Sequence, residues 1–191
     1  MTGNKGLLLS TSREPTRRMR SFCHDLARCV PSIIRVNRGK LSMDGLAEKA
    51  LECDADRVII VSRWKGRLGK IELYKIGATG LIPFPPVVYV KSIRLQREFG
   101  RKKKSGRIKS LATTLSTEVS PETRKTAEAF SKFFKLSLLP IDQTVLNRYS
   151  ACMHFSLDSS KHTQITFLLF PSKIEFGPRI TISHLVTELK K

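Results

Sequence analysis

The sequence predicts a mixed α/β fold with a partly parallel sheet. Short apolar runs, typical of buried strands, alternate with helical periodicities in the first half of the chain. The second half joins one clear helix start to three strand patterns. The chain has 191 residues, 40% of them hydrophobic, which is enough to bury a core without disulfides or metals.

The first strand and helix carry the clearest patterns. A strand is predicted at residues 6–10, where three leucines are followed abruptly by polar residues. The next helix has Pro15 in its first turn and Pro31 at its end. Its apolar residues recur at helical spacing: Met19, Phe22, Cys23, Leu26, Ala27 and Val30. Its opposite face carries Arg17, Arg18, Arg20 and Arg28, so the helix is amphipathic and basic.

The rest of the first half continues the alternation of strands and helices. A strand is predicted at 32–36, followed by a turn at 37–39 and a helix at 42–52. The β-branched run at 58–61 predicts a buried strand of the parallel type. Alternating residues at 71–76 predict a further strand, reached through a hairpin that contains Trp64. This β-α-β-α-β order favours parallel neighbours.

In the second half, Ser120-Pro121-Glu122 combines a capping residue, a proline and a first-turn acid at a helix start. Strands are predicted at 151–157, 164–170 and 173–182, and the middle one has the composition of a central, buried strand. Each half therefore places helices beside several strands, and we expect the two halves to share an architecture.

The charge of the chain is large and unevenly distributed. Lys and Arg number 35 against 16 Asp and Glu, a formal net charge of +19. Residues 1–110 hold 25 of the basic and 9 of the acidic residues, while residues 111–191 hold 10 and 7. Such an excess is more easily tolerated when a polyanion neutralises it, so the expected partner is nucleic acid, with an anionic membrane surface as the weaker alternative.

The sharpest concentration of charge separates the two halves. Six of the nine residues at 101–109 are basic. We therefore predict an N-terminal half at 1–100, a basic loop at 101–110 and a C-terminal half at 111–191. No run of about 18 apolar residues occurs, so we expect neither a membrane span nor a secretory signal. Four scattered cysteines without a C-x-x-C pair favour a reducing, intracellular compartment.

Three segments have the composition of an anion or nucleic-acid site. The segment STSREPTRR at 10–18 leads from a strand end into a helix start, where backbone N–H groups, hydroxyls and arginines favour a phosphate. The alternative is plain capping by Ser12 or Thr16. The segment RVNRGK at 35–40 places three cations and an amide around a glycine turn at a strand end. The alternative is that Asn37 and Gly39 merely supply turn conformations.

The third segment, WKGRLGK at 64–70, pairs an aromatic ring with three cations, which suits an unpaired base and its phosphate. Alternatively, Trp64 covers the edge of the sheet. Enzymatic signals are weak, because the phosphate-loop, G-x-G-x-x-G, H-E-x-x-H and G-x-S-x-G motifs are absent from the sequence. Asp54 and Asp56 form an isolated D-x-D, and the histidines lack ligand spacing. We expect no catalytic residues, no metal, no cofactor and no small-molecule substrate.

Motifs at both ends of the chain match a known family. The segment LLLSTSREP at 7–15, followed by the arginine-rich helix and RVNRG at 35–39, resembles the Brix domain family of ribosome-biogenesis factors. Near the other end, EFGPRI at 175–180 resembles the closing Gly-Pro-Arg strand of that family. The resemblance covers nearly the whole chain and indicates a single Brix domain over 1–191, similar to the compact archaeal members.

The resemblance implies non-catalytic binding of precursor ribosomal RNA during subunit biogenesis, with a guide RNA and other assembly proteins as further candidate partners. It implies two similar α/β halves, each similar to the anticodon-binding domain of class II aminoacyl-tRNA synthetases. Eukaryotic relatives act in the nucleolus, but an archaeal-type chain has no nucleus to enter, so the resemblance implies a cytoplasmic location. By motif position the implied RNA contacts are Arg13, Arg17, Arg35, Asn37, Arg38 and Arg179, although Arg179 could instead brace the sheet.

Residues of the three segments above and of the basic loop complete the predicted RNA-binding set. It consists of Arg13, Arg17, Arg18, Arg35, Asn37, Arg38, Lys40, Trp64, Lys65, Arg67, Arg101, Lys102, Lys103, Lys104 and Arg179. Two alternatives stay open. The first is a tRNA-binding module on the anticodon-binding scaffold. The second is an RNA-modifying or RNA-cleaving enzyme that uses Asp54, Asp56 or a histidine.

Overall fold

A computed structural model describes residues 5–100, 108–140 and 146–187 of the chain. Its elements up to residue 99 are β1 (Gly6–Thr11), α1 (Arg17–Cys29), β2 (Ile33–Arg35), α2 (Met43–Glu52), β3 (Ala55–Trp64), β4 (Arg67–Gly77), β5 (Gly80–Arg94) and a short 3-10 helix (Gln96–Phe99). Its later elements are β6 (Leu111–Leu115), α3 (Pro121–Phe134), β7 (Leu138–Leu139), β8 (Ala151–Leu157), β9 (Thr163–Leu169), β10 (Ile174–Glu175) and β11 (Arg179–Val186).

The described residues form two compact units. The first unit holds the residues up to Ala27, the segment Ser32–Tyr89 and the end of β11 from His184. The second unit holds Arg28–Pro31 and the described residues between Val90 and Ser183. The end of the chain therefore returns to the unit with which the chain begins.

The first unit has the strand order β2-β1-β3-β4-β5. The apolar strand β1 runs parallel to both neighbours, with Leu7 opposite Ile33 of β2 and Leu8 opposite Val58 of β3. Strands β3 and β4, and then β4 and β5, pair antiparallel. Because β1 is covered on both faces, its leucines are buried, and α2 packs Leu46 and Ala50 against the same core as Leu8.

The second unit repeats this order. Strand β6 runs parallel to β7 and to β8, β8 pairs antiparallel with β9, and β9 pairs antiparallel with β11, which gives the order β7-β6-β8-β9-β11. Helix α3 begins where the sequence predicts, because the Ser120 hydroxyl accepts a hydrogen bond from the Thr123 amide and Pro121 occupies the first turn. Its apolar stripe, including Phe130 and Phe133, is buried.

The mixed α/β class and the parallel pairing of the first half are confirmed. Strand β5 lies outside the sequence prediction because Pro83, Pro85 and Pro86 interrupt its strand pattern and donate no ladder hydrogen bonds. The prediction of one strand at 173–182 is wrong. The chain leaves the sheet between β10 and β11 because Pro178 lacks an amide hydrogen and Gly177 lies so close to Cys29 and Phe167 that no side chain would fit.

Candidate functional site

A cleft of about 380 Å³ lies at the carboxyl ends of β1 and β2 in the first unit. Its wall combines the end of β1, the first turns of α1 and the turn after β2: Leu9, Ser10, Thr11, Glu14, Pro15, Arg20, Cys23, Arg35, Val36, Asn37, Arg38 and Gly39. Since β1 and β2 are parallel neighbours, their ends meet at one edge of the sheet. The segments at 10–18 and 35–40, which the sequence presents separately, thus form one site.

A second depression, of about 400 Å³, continues this cleft. Arg13, Glu14, Gly39 and Lys40 line it, so it shares Glu14 and Gly39 with the first. Arg13, Arg17, Arg18, Arg20, Arg35 and Lys40 are all exposed to solvent. Among the described residues that line the two depressions, Glu14 is the only acidic one. The site therefore presents a cationic surface that suits an anion.

Hydrogen bonds fix the backbone beneath this surface. The amide of Val36 donates to the Leu9 carbonyl at 2.9 Å, and the hydroxyl of Ser10 donates to the Val36 carbonyl at 3.0 Å. The amide of Met19 donates to the Thr16 hydroxyl at 3.2 Å. Thr16 therefore caps α1, as the alternative interpretation of this segment predicts. The arginines of the first turn are nevertheless exposed to solvent.

Arg38 differs from the other cations of the site because it is buried. Its Nε donates to the Leu41 carbonyl at 2.7 Å, and its two terminal nitrogens lie 3.8 and 3.7 Å from the sulfur of Met43. Burial, followed by the nearby charge of Arg13, lowers the pKa of Arg38. The side chain thus holds the turn after β2 in place, while Arg35, Asn37 and Lys40 stay exposed.

The predicted hairpin between β3 and β4 is confirmed. Trp64 lies opposite Arg67 in the register, and the two turn residues, Lys65 and Gly66, have positive φ angles of 51° and 78°. Lys65 is exposed, and 43% of the surface of Trp64 is accessible to solvent. The hairpin follows the carboxyl end of β3, which pairs with the end of β1 at Thr11 and Val61.

Arg179 lies in the second unit and is engaged by its neighbours. Its Nε donates to one Glu175 carboxylate oxygen at 2.8 Å, and its Nη2 donates to the other oxygen of that carboxylate. These hydrogen bonds raise the pKa of Arg179. The guanidinium carbons of Arg179 and Arg94 also lie 5.5 and 4.5 Å from the ring centre of Phe99. This geometry matches the bracing interpretation of the Gly-Pro-Arg segment. Arg101, Lys102, Lys103 and Lys104 lie outside the described residues.

The groups weighed for catalysis stay separate. Burial raises the pKa of Cys23 to about 12, against a weaker opposite effect of Arg35, so its thiol is protonated at neutral pH. Asp54 is exposed in a left-handed conformation, and Asp56 lies 4.0 Å from the guanidinium of Arg57. Within residues 5–100, 108–140 and 146–187, no group of three His, Cys, Asp or Glu residues could hold a metal ion. None of the helices in those ranges is long and apolar enough to cross a bilayer.

The sequence prediction misses three members of this neighbourhood. Arg20 lines the cleft, and its place on the basic face of α1 is the signal that could have included it. The ring of Tyr89 packs against that of Trp64, and the ring of His184 stacks on that of Tyr89. Neither has a local sequence signal, because each reaches that position through long-range strand pairing.

Comparison with known proteins identifies relatives of the chain and agrees with the fold. No family model matches the chain. The chain is 36% identical over 98 residues to a probable Brix domain-containing ribosomal biogenesis protein of Pyrococcus horikoshii, a match over 50% of this chain and 42% of the relative. It is 30% identical over 138 residues to a protein of the same description from Methanopyrus kandleri, covering 69% of this chain and 68% of that one. The match spans less than half the length of the Pyrococcus relative, and of a Thermococcus kodakarensis relative of the same description.

Two solved structures share the fold. A probable ribosomal biogenesis protein from Aeropyrum pernix superposes with a TM-score of 0.76 at 25% identity, covering 97% of this chain and 98% of that one. Mil, an archaeal Imp4-like protein, superposes with a TM-score of 0.65 at 16% identity over 95% and 99% of the two chains, a likeness of fold alone.

The fold and the cleft define a mixed α/β protein that presents a cationic surface at the ends of its parallel strands. Within that class, the chain belongs to the Brix domain family, as the Methanopyrus relative shows.

Proposed function

We propose that the chain is a non-catalytic ribosome assembly factor that binds precursor ribosomal RNA. The observation that carries the proposal is the cationic cleft at the carboxyl ends of β1 and β2, into which two separate basic segments converge. Relatives described as ribosomal biogenesis proteins support the assembly role. We also propose that each α/β unit is similar to an anticodon-binding domain, as the family resemblance implies.

The shape and charge of the cleft suit the phosphate backbone of RNA. Its cations come from a strand end, a helix and a turn, so they can follow a curved chain of phosphates. Exposed Arg13, Arg17, Arg18, Arg35 and Lys40, with Arg20, supply the contacts, and Asn37 adds an amide. In this proposal Arg38 positions the turn from beneath, and the exposed side chains of Trp64 and Lys65 in the hairpin supply further contacts.

Crosslinking in extract of cells that make the chain tests this proposal. The attached RNA fragments are sequenced, and we expect enrichment at one region of precursor ribosomal RNA. Enrichment across tRNAs would instead support a tRNA-binding module and overturn the assembly role. Labelled precursor RNA incubated with the protein, with and without Mg²⁺, is expected to stay intact and unmodified, and cleavage or modification would contradict the non-catalytic role.

A further inference from the structure

Three rings form a continuous aromatic array in the first unit. The ring centres of Trp64 and Tyr89 lie 4.8 Å apart at an interplanar angle of 70°. Tyr89 in turn stacks on His184, with centres 4.3 Å apart and planes 9° from parallel. Trp64 keeps 43% of its surface exposed and His184 is also exposed, so both ends of the array face solvent.

The surroundings of the array are basic. Lys65 follows Trp64 in the hairpin and is exposed. Lys70 lies opposite Tyr89 in the register, and its Nζ lies 2.7 Å from a carboxylate oxygen of Glu72. The other oxygen of Glu72 accepts a hydrogen bond from Ser62 at 3.1 Å. The nearby carboxylate is therefore already engaged, and the exposed cation beside the array is available for an anion.

The backbone makes room for the exposed ring. A Cβ atom at Gly69 would lie 2.8 Å from the Cβ of Trp64, so glycine at this position lets the indole sit over β4. The array also lies near the edge of the sheet that carries the cationic cleft. The amide of Ser12, at the end of β1, donates to the Val61 carbonyl at 2.8 Å, three residues before Trp64.

We propose that this array is a stacking site for an unpaired RNA base, with Lys65 contacting the adjoining phosphate. Aromatic rings beside cations bind single-stranded nucleotides with little sequence preference, whereas bases inside a duplex are already stacked. This inference rests on the proposed RNA binding and narrows its substrate class: the ligand is RNA in which an unpaired nucleotide adjoins a segment bound by its phosphates in the cleft.

Intrinsic fluorescence tests the array directly, because Trp64 is the single tryptophan of the chain. An eight-nucleotide oligouridylate and oligoadenylate serve as single-stranded probes, and a blunt 12-base-pair RNA duplex serves as the paired probe. We expect both single-stranded probes to quench the fluorescence and the bound duplex to leave it nearly unchanged. The Gly69→Ala variant retains Trp64 but shifts its indole ring, so the single-stranded probes should quench its fluorescence less than they quench that of the wild type.

Anisotropy of labelled RNA extends the test to variants without tryptophan. Trp64→Ala should weaken single-stranded binding about 10-fold and duplex binding less than twofold, and Trp64→Phe should fall between Ala and wild type. The matched control is Ile82→Ala on β5 of the same unit, which removes a residue that is 50% exposed and should change neither affinity. Circular dichroism confirms that each variant is folded.

The outcomes separate the two proposals. Single-stranded RNA that binds without quenching, or equal losses for Trp64→Ala and Ile82→Ala, would overturn the stacking site and leave RNA binding intact. Failure of the wild-type chain to bind either probe or precursor ribosomal RNA fragments would overturn the proposed function itself.

Discussion

The two units share a strand order but carry different chemistry at the same place. In the first unit the carboxyl ends of the parallel strands β1 and β2 are surrounded by exposed cations. In the second unit, β6 and β8 take the places of β1 and β3, and the end of β6 with the adjoining part of β8 carries hydroxyls and one histidine. The shared topology brings loops together at one edge, and the side chains on those loops decide what the edge can bind.

At this edge of the second unit, the hydroxyls and the histidine form hydrogen bonds with one another. The Nδ1 atom of His154 lies 2.9 Å from the Thr114 hydroxyl, and its Nε2 lies 3.1 Å from the Ser116 hydroxyl. The Thr123 hydroxyl, in the first turn of α3, lies 2.7 Å from that of Thr163. Polar groups paired with each other in this way stabilise the fold, whereas the cleft of the first unit exposes Arg13, Arg35 and Lys40 to solvent.

The largest expected effect contrasts one glycine of each unit. A Cβ at Gly177 would overlap the sulfur of Cys29 and lie 2.8 Å from the Cβ of Phe167, so Gly177→Ala should lower the free energy of unfolding by about 3 kcal/mol. A Cβ at Gly39 would meet no described residue within 4 Å apart from its chain neighbours, and only the φ of +51° opposes a side chain there, so Gly39→Ala should lower the free energy of unfolding by about 1 kcal/mol. Urea unfolding measures both, and equal losses would contradict the contrast.

Removal of matched sets of cations is expected to have the next largest effect. The triple variant Arg13→Ala, Arg35→Ala, Lys40→Ala should weaken RNA binding about 30- to 100-fold at 0.1 M salt and lower the salt slope by about 2 to 3, because each lost phosphate contact lowers it by about 0.7 to 0.9. The control, Arg124→Ala, Lys125→Ala, Lys173→Ala, removes three exposed cations of the second unit. Anisotropy titrations at several salt concentrations compare them. Similar slopes for both variants would show that total charge, rather than the cleft, governs binding.

A smaller effect separates two arginines within the first unit. Arg38→Ala removes a buried side chain and its hydrogen bond to the Leu41 carbonyl, and should lower stability by about 1–2 kcal/mol. Arg35→Ala removes an exposed side chain and should stay within about 0.5 kcal/mol of wild type while weakening RNA binding. Urea unfolding and binding titrations of the two variants give the comparison. If Arg35→Ala lowered the free energy of unfolding as much as Arg38→Ala does, the distinction between the two arginines would be wrong.

The smallest expected effect is a pH dependence that belongs to the second unit. Burial lowers the pKa of His154 below its ordinary value of 6.5, so the native state favours the neutral ring. The corresponding stability is present above pH 6.5 and is lost as the pH falls through the lowered native value. Melting temperatures between pH 7 and 5 should fall more steeply for wild type than for His154→Gln, whose amide can keep both hydroxyl contacts. Parallel slopes would exclude this role for His154.

The sequence predicts elements well where one local pattern dominates. The β-branched run of β3 and the Ser120-Pro121 start of α3 are both found as expected, because burial and capping are encoded within a few residues. Strand β5 is not predicted, because its prolines remove the alternating pattern of a strand. The strand nevertheless forms through its antiparallel pairing with β4. The break at Gly177 depends on contacts with Cys29 and Phe167, which are far away along the chain.

The site is predictable in composition but not in arrangement. The sequence identifies both basic segments, yet only the parallel pairing of β1 with β2 shows that they form one cleft. Nothing in the pattern RVNRGK distinguishes Arg38, which turns inward, from Arg35, which stays exposed. Tyr89 and His184 meet although many strands separate them in the chain, so no window of sequence could bring them together.

Because the end of the chain returns to the first unit, the aromatic array can be completed only late in protein synthesis. Trp64 and Tyr89 leave the ribosome early, whereas His184 is added 95 residues after Tyr89. At about 5–20 residues per second this interval lasts roughly 5 to 20 seconds. A nascent chain therefore already carries its basic segments while its ring stack is unfinished, and only a chain translated beyond residue 184 has all three rings in place.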